Sequence, residues 1–221
     1  ITTATAVAVG QYHTCALLSD STVKCWGLNG NGQLGDDTTT SKLTPTSVIL
    51  AVSASDVKAS SYYSSCAVVA NGTVKCWGYN GSGQLGDGTT TNRTTPVAVS
   101  GISTATAIAG GNSHTCVRLS DSTIKCWGLN GNGQLGDGTT TQSLIPVAVS
   151  GITTATAVAA GSSYTCALLS DSTLKCWGYN GLGNLGDGTT IQRLTPVLVS
   201  GITTATAVVG EKSKRGDMAG L

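Results

Sequence analysis

The sequence predicts an all-β chain built from four copies of one four-stranded unit. Three observations carry that prediction. Trp26, Trp77, Trp127 and Trp177 are spaced 51, 50 and 50 residues apart, a fixed period of the kind that marks repeat architectures. Apolar residues come in short alternating runs, and no 3.6-residue apolar pattern is long enough for a helix. Eight cysteines fall into four pairs, Cys15/Cys25, Cys66/Cys76, Cys116/Cys126 and Cys166/Cys176, each separated by ten residues.

The units run over about residues 1–50, 51–100, 101–150 and 151–200, with a surplus first strand at 201–210 and a non-repeat tail at 211–221. Each Trp is followed 19 residues later by Pro45, Pro96, Pro146 or Pro196. The one extra residue therefore lies between Pro45 and Cys66. The third and fourth units are identical at 35 of 50 positions. A two-unit period overlies this. Leu28 and Leu129 follow Trp-Gly in units one and three, Tyr79 and Tyr179 in units two and four, and His13 and His114 recur only in the odd units.

In the third unit the alternation places strands at about 105–109, 115–119, 123–127 and 146–149. Ser120-Asp121-Ser122 reads as the tight turn between the second and third, with Asp121 bonding its own backbone. Asn71-Gly72 fills that place in the second unit, a strong hairpin signal. Cys116 and Cys126 lie symmetrically about Asp121 and face each other across antiparallel strands, where opposed Cα atoms sit ~4.5–5.5 Å apart. A disulfide spans that distance, and each would contribute about 2–3 kcal/mol. Four regular pairs with none left over point to disulfides and an oxidising compartment rather than to buried free thiols. Zinc is a poor reading, because the spacing is not that of a knuckle and the chain has only two His. The Gly-rich stretch after each Trp-Gly reads as a long exposed connection to the fourth strand.

Composition excludes several classes. Charged residues are 10% of the 221 and the net charge is +1. That charge rules out broad electrostatic capture of nucleic acid or anionic membrane. With 40% hydrophobic residues the chain is not of the disordered class. No apolar run approaches the ~18 residues of a membrane span. A start at Ile1 without Met reads as a mature product or an excised segment.

The pattern Gly-x-x-His-Thr-Cys-Ala-Leu (residues 10–17), then Asp-x-Thr-Val-Lys-Cys-Trp-Gly-x-Asn (20–29), then Gly-Gln-Leu-Gly-Asp from Gly32 resembles the regulator of chromosome condensation repeat. The likeness recurs four times over about residues 1–210, and the Cys pair with Cys-Trp-Gly is similar to a secreted bacterial branch of that family. The resemblance implies a β-propeller in which each unit is one four-stranded blade. The chain departs from the family where Ser64 and Tyr164 replace His, and in supplying four blades where family propellers usually have seven. Residues 1–10 nearly match 202–210. The expectation is therefore a four-blade array that closes alone, belongs to a longer array, or is completed by neighbouring chains joined head to tail through terminal strands.

No catalytic constellation is legible. Of eleven acids, Asp36, Asp87, Asp137 and Asp187 sit in the repeated Leu-Gly-Asp, and Asp20, Asp121 and Asp171 sit in hairpin turns. The chain is read as a non-enzyme without cofactor or metal. The loop 29–36 has too few acids for calcium, and no strand–loop–helix context supports phosphate binding. Residues that vary between units, Tyr79, Tyr179, Leu182, Arg93, Arg118 and Arg193, are the candidate interface, aromatic and Arg side chains being frequent anchors. Asn71, Asn80 and Asn92 head glycosylation sequons, and Arg215-Gly216-Asp217 is a chance match to an adhesion motif. The expected function is an extracellular structural scaffold that self-associates. The alternative is a secreted binding module or inhibitor, since the family includes a secreted β-lactamase inhibitor. Guanine-nucleotide exchange, the activity of the family's namesake, ranks last because disulfides put the chain in the wrong compartment.

Overall fold

The computed structural model describes residues 1–60 and 63–210. They form sixteen strands in four four-stranded antiparallel sheets, each sheet made of four consecutive strands in sequence order. The first blade holds β1 (Ala4–Val9), β2 (His13–Leu18), β3 (Val23–Gly27) and β4 (Lys42–Ser47). The second holds β5 (Ala54–Ala59), β6 (Ser64–Val69), β7 (Val74–Gly78) and β8 (Arg93–Ala98). The third holds β9 (Ala105–Gly110), β10 (His114–Leu119), β11 (Ile124–Gly128) and β12 (Ser143–Ala148). The fourth holds β13 (Ala155–Ala160), β14 (Tyr164–Leu169), β15 (Leu174–Gly178) and β16 (Arg193–Leu198).

The central hairpins form as their turns dictate. The Asp20 carboxylate accepts the Thr22 N–H at 3.0 Å and the Thr22 hydroxyl at 2.7 Å, and Asp121 and Asp171 repeat this with Thr123 and Thr173. Cys15 then stands opposite Cys25, and Cys66, Cys116 and Cys166 stand opposite Cys76, Cys126 and Cys176. The Leu18 N–H bonds the Thr22 carbonyl, and ladder pairs alternate from there, so the cysteines occupy a closely spaced, non-hydrogen-bonded pair. All four pairs, Cys15–Cys25, Cys66–Cys76, Cys116–Cys126 and Cys166–Cys176, are disulfides with Cα atoms 4.0–4.1 Å apart. That is closer than the ~4.5–5.5 Å expected of facing strands in general, because the covalent link draws each pair inward. The fourth strand starts earlier than the alternation suggests. Pairing jumps from Cys126/Val147 to Gly128/Ser143, which puts Pro146 in a bulge of the outermost strand. An edge bulge tolerates its missing N–H.

Both faces of an inner blade are buried, by different neighbours. Trp77 packs with Leu34, Cys15 and Val57 between blades one and two. Cys66, Cys76 and Trp127 share the next core with Leu85 and Ile108, and Cys116, Cys126 and Trp177 the third with Leu135 and Ala155. Within each sheet the Trp thus faces the preceding blade and the disulfide the following one. The fourth disulfide departs from the equivalence that the repeat predicts. No further blade follows it among the described residues, so Cys166 is only half-buried and Cys176 is 3% exposed, whereas Cys15, Cys25, Cys116 and Cys126 are completely buried. The strands β5, β9 and β13 each pack on the first two strands of the blade before. No comparable packing joins the fourth blade to the first among the described residues.

Residues 202–210 form no strand, yet they begin as one. The Ala205 N–H bonds the Ser172 carbonyl at 3.0 Å, just as Ala54 bonds Ser21, Ala105 bonds Gly72 and Ala155 bonds Ser122. The tail 211–221, with Arg215-Gly216-Asp217, lies outside the described residues.

Candidate functional site

The Gly-rich connection is not the exposed loop its composition suggests. Asn29, Gln33 and Leu34 are fully buried, as are their counterparts Asn80, Gln84 and Leu85. The Asn29 side chain closes the loop from both ends: its Oδ1 accepts the Leu34 N–H at 2.9 Å, and its Nδ2 donates to Asp36 at 3.0 Å and to the Thr38 carbonyl at 2.9 Å. Asn80, Asn130 and Asn180 do the same. Burial pushes the Asp87 carboxyl up, but hydrogen bonds from Thr89, Arg93 and Asn80 outweigh it and hold its pKa below the usual value. Asp187 is lowered to about 2, first by the Thr189 hydroxyl and then, against desolvation, by Arg193 and Asn180. These carboxylates are spent on the loop. No cluster of three metal-ligating side chains exists among the described residues.

A closed loop of this kind aims one carbonyl outward. The Gln33 C=O accepts the Trp77 Nε1–H at 3.0 Å and the Ser65 hydroxyl at 3.0 Å, both from the second blade. The Gln84 carbonyl receives Trp127 and Thr115 of the third blade, and the Gln134 carbonyl receives Trp177 and Thr165 of the fourth. A second bond runs through the backbone, from the N–H of Asp37, Gly88 and Gly138 to the C=O of Thr94, Leu144 and Leu194. Beside it, the chain at Thr94, Leu144 or Leu194 lies so close to Gly32, Gly83 or Gly133 that a Cβ there would stand 2.7–3.0 Å from the facing Cα. Three joints between blades thus share one design.

The two-unit period modulates these joints. His13 Nε2 lies 2.8 Å from the Ser65 hydroxyl and His114 Nε2 3.0 Å from the Thr165 hydroxyl. Ser65 and Thr165 already donate to Gln carbonyls, so each His donates from Nε2. Burial lowers the His114 pKa to about 4, which keeps the ring neutral at pH 7. Each ring lies on a glycine: a Cβ at Gly10 or Gly111 would strike it. In the second blade both partners change together. Ser60 takes the glycine's place, bonding back to Ser64 at 2.7 Å between hydroxyls, and Ser64 takes the His place. A small cavity lined by Ser60, Ser64 and Thr115 remains. Ser64→His alone is expected to destabilise by driving its ring into Ser60. Ser60→Gly with Ser64→His is expected to recover at least about 1 kcal/mol through a new bond to Thr115. Urea midpoints of the four members of the cycle measure the coupling.

Four of the six candidate interface residues are engaged within their own blades. Tyr79 and Tyr179 fold back over Gly81 and Gly181, where an added Cβ would meet the phenol rings. Arg93 donates to Asp87 through Nε at 2.9 Å and through an Nη at 2.7 Å, and Arg193 pairs with Asp187 at 2.7 Å. Arg118, in the third blade, lies opposite Ile124 near the hairpin turn, whereas Arg93, in the second, starts β8 opposite Gly78 at the Trp-Gly end. Leu182 alone stands out, 82% exposed. Of the sequon residues, Asn71 and Asn92 are exposed. Asn80 is buried with its Nδ2 fully engaged, and a glycan there is incompatible with the fold. Nothing in the sequence singled out Tyr12 and Tyr63, whose rings stack at 5.9 Å across blades one and two.

Four sheets packed Trp-to-loop around a shared line of first strands are the blades of a β-propeller. Models of the regulator of chromosome condensation (RCC1) repeat match at residues 4–33, 55–84, 105–134 and 155–184, and at 21–67, 71–118 and 126–168. The chain belongs to the regulator of chromosome condensation repeat family. Human WBSCR16 is similar to it, with 26% identity and a TM-score of 0.80 over 89% of this chain and 53% of that one. Yeast RCC1 (Prp20), in its complex with Kap60, is 25% identical with a TM-score of 0.77, covering 93% of this chain and 52% of that one. The ectodomain of the Physcomitrella patens receptor kinase CR4 is 26% identical with a TM-score of 0.54, over 80% of this chain and 41% of that one. The chain spans about half the length, or less, of these solved relatives.

Proposed function

We propose that the chain is a non-enzymatic scaffold of an oxidising, extracellular setting, extended at its ends by second copies of itself. The observation that carries this reading is the segment 202–210. It docks on the Ser172 carbonyl as a first strand does but has no second strand to pair with among the described residues. Its sequence nearly repeats that of β1, and β1 is largely exposed, unlike β5, β9 and β13. In the proposed assembly 202–210 of one copy replaces β1 beside β2 of the next, which is strand addition between like chains and produces rings or filaments. Four disulfides within hairpins support the extracellular setting. Seven of the nine acids among the described residues are engaged in hairpin turns or in the loop after Trp-Gly, which supports a role without catalysis.

A secreted binding module is the second reading, favoured by exposed Leu182 and Tyr12 but weakened by the internal engagement of Tyr79, Tyr179, Arg93 and Arg193. Guanine-nucleotide exchange rests on the family name alone. Amide hydrogen exchange tests the first reading. Amides of 205–209 are expected to exchange at least tenfold more slowly (about 1.4 kcal/mol of protection) in concentrated than in dilute samples, while those of β1 exchange faster. Equal, fast exchange of 205–209 at every concentration would refute it.

A further inference from the structure

His114 stands in the joint between the third and fourth blades and is completely buried. Its Nε2–H donates to the Thr165 hydroxyl, 3.0 Å away. That hydroxyl donates in turn to the Gln134 carbonyl, which also accepts the Trp177 indole. One run of bonds thus ties the ring to the contact that closes the joint. Nδ1 carries the lone pair, and it is buried with no hydrogen-bond partner. A second proton on the ring creates a buried N–H with nothing to receive it and a charge shielded from solvent. The ring is held against Gly111, where even a Cβ would overlap it.

The ionisable groups around the joint do not relieve that charge. His114, Cys116 and Arg118 alternate onto one face of β10, so β10 adds a cation. Thr165 faces Trp177 across β14 and β15, and Lys175 shares the Trp177 face and adds another. The strands β9 and β13 have no ionisable side chain. Tyr164 lies over Gly161, Lys125 points to the face of β11 opposite Cys126, and Asp137 accepts from Asn130 and Thr139. Asp121 and Asp171 are held in the hairpin turns by Thr123 and Thr173, at the far end of their blades from His114. In the joint between the second and third blades, Trp127 and Thr115 donate to the Gln84 carbonyl just as Trp177 and Thr165 donate to that of Gln134. There Ser64 stands in the His place and bonds Ser60. The two joints share a design, and only one has a titratable ring in it.

We propose that the joint between the third and fourth blades is an acid-sensitive seam, which protonation of His114 opens while the joint between the second and third stays shut. The closed joint holds only the neutral ring, and the open joint gives the ring to water, so opening takes up a proton. Burial alone lowers the His114 pKa, from 6.5 to about 4. Closure is therefore strongest above about pH 6.5 and weakens as pH falls toward 4. Between pH 7 and pH 5 the opening equilibrium rises about 20-fold. The carboxylates of Asp36, Asp87 and Asp187, held below the usual value, lose their bonds only at lower pH. Opening bares Trp177, Leu135 and the Cys116–Cys126 disulfide, which pack together in this joint. The seam lies inside the chain and stands whether or not chains associate end to end.

Indole N–H exchange, read by NMR, reports both joints in one molecule, Trp177 for the seam and Trp127 for the joint before it. Each rate is divided by that of a free indole at the same pH. Only the change with pH is compared, so a difference in absolute protection between the joints drops out. From pH 7 to pH 5 the protection of Trp177 is expected to fall about 20-fold more than that of Trp127. His114→Gln supplies an amide N–H near the Nε2 position that does not titrate, and in that variant the excess fall is expected to vanish. An equal change at Trp177 and Trp127 in the parent would overturn the proposal, because acid would then act on the whole chain and not at this joint. An excess fall that persists in His114→Gln would overturn it too, by taking the effect away from His114. Should the variant fail to fold, the comparison within the parent decides alone.

Discussion

Reducing the four disulfides is expected to remove roughly 10 kcal/mol of stability, about 2–3 kcal/mol for each short loop they close. The four contributions should nearly add, because each bridge lies within one blade and none shares partners with another. A loss of that size is comparable with the whole stability of an ordinary domain, about 5–15 kcal/mol, so the reduced chain is expected to be unfolded at 25 °C. Most of the half-cystines are completely buried, and reductant reaches them only when a blade opens. Cys166–Cys176, half-covered on the fourth blade, is expected to be reduced first. The measurement is therefore a refolding one: chain unfolded in urea with reductant, then diluted, and followed by circular dichroism beside an oxidised control. Recovery of the full β-sheet signal by the reduced chain, with an unchanged urea midpoint, would overturn the claim that the four bridges carry a decisive share of the stability.

Trp127→Ala is expected to cost about 4–5 kcal/mol, through the cavity left by a large buried side chain and the loss of a donor to the Gln84 carbonyl. Trp26→Ala is expected to cost no more than about 1 kcal/mol in a single chain, because the same residue type is there only partly buried and bonds no carbonyl among the described residues. Trp127→Phe isolates the indole N–H, at about 1 kcal/mol. Since Trp127 fills the joint between blades two and three, its loss should also split urea unfolding into two transitions, as expected when neighbouring repeats uncouple. Equal costs for Trp26→Ala and Trp127→Ala would show that burial between blades is not what holds the Trp in place.

The fold is legible in the sequence because its determinants are local. The spacing of Trp and Cys, the Asp-Ser-Thr and Asn-Gly turns, and the alternation around them place the two central strands of every blade. Alternation misplaces the fourth strand by several residues, since its start is set by pairing across a bulge at Pro146. The long connection misleads for a different reason. Asn, Gly and Gln look like solvated loop residues, and only the closure of Asn29 onto Leu34 and Asp36 reveals that they are buried. The cysteine spacing gives all four pairings, but not that Cys166–Cys176 lacks the cover of the other three, because cover comes from the next blade rather than from the hairpin itself. Variation between units does not by itself distinguish an exposed anchor from an internally engaged one: Tyr79 lies over Gly81, and Arg93 holds Asp87.

The mass of the unreduced chain in solution, followed by light scattering over a wide concentration range with negative-stain images of the same samples, tests the central claim most directly. Copies joined fourth blade to first should give a mass that rises with concentration in whole multiples of the 22.1 kDa chain, as rings or filaments of even width. A particle that stays at one chain mass at every concentration, with residues 202–210 still unpaired, would contradict it.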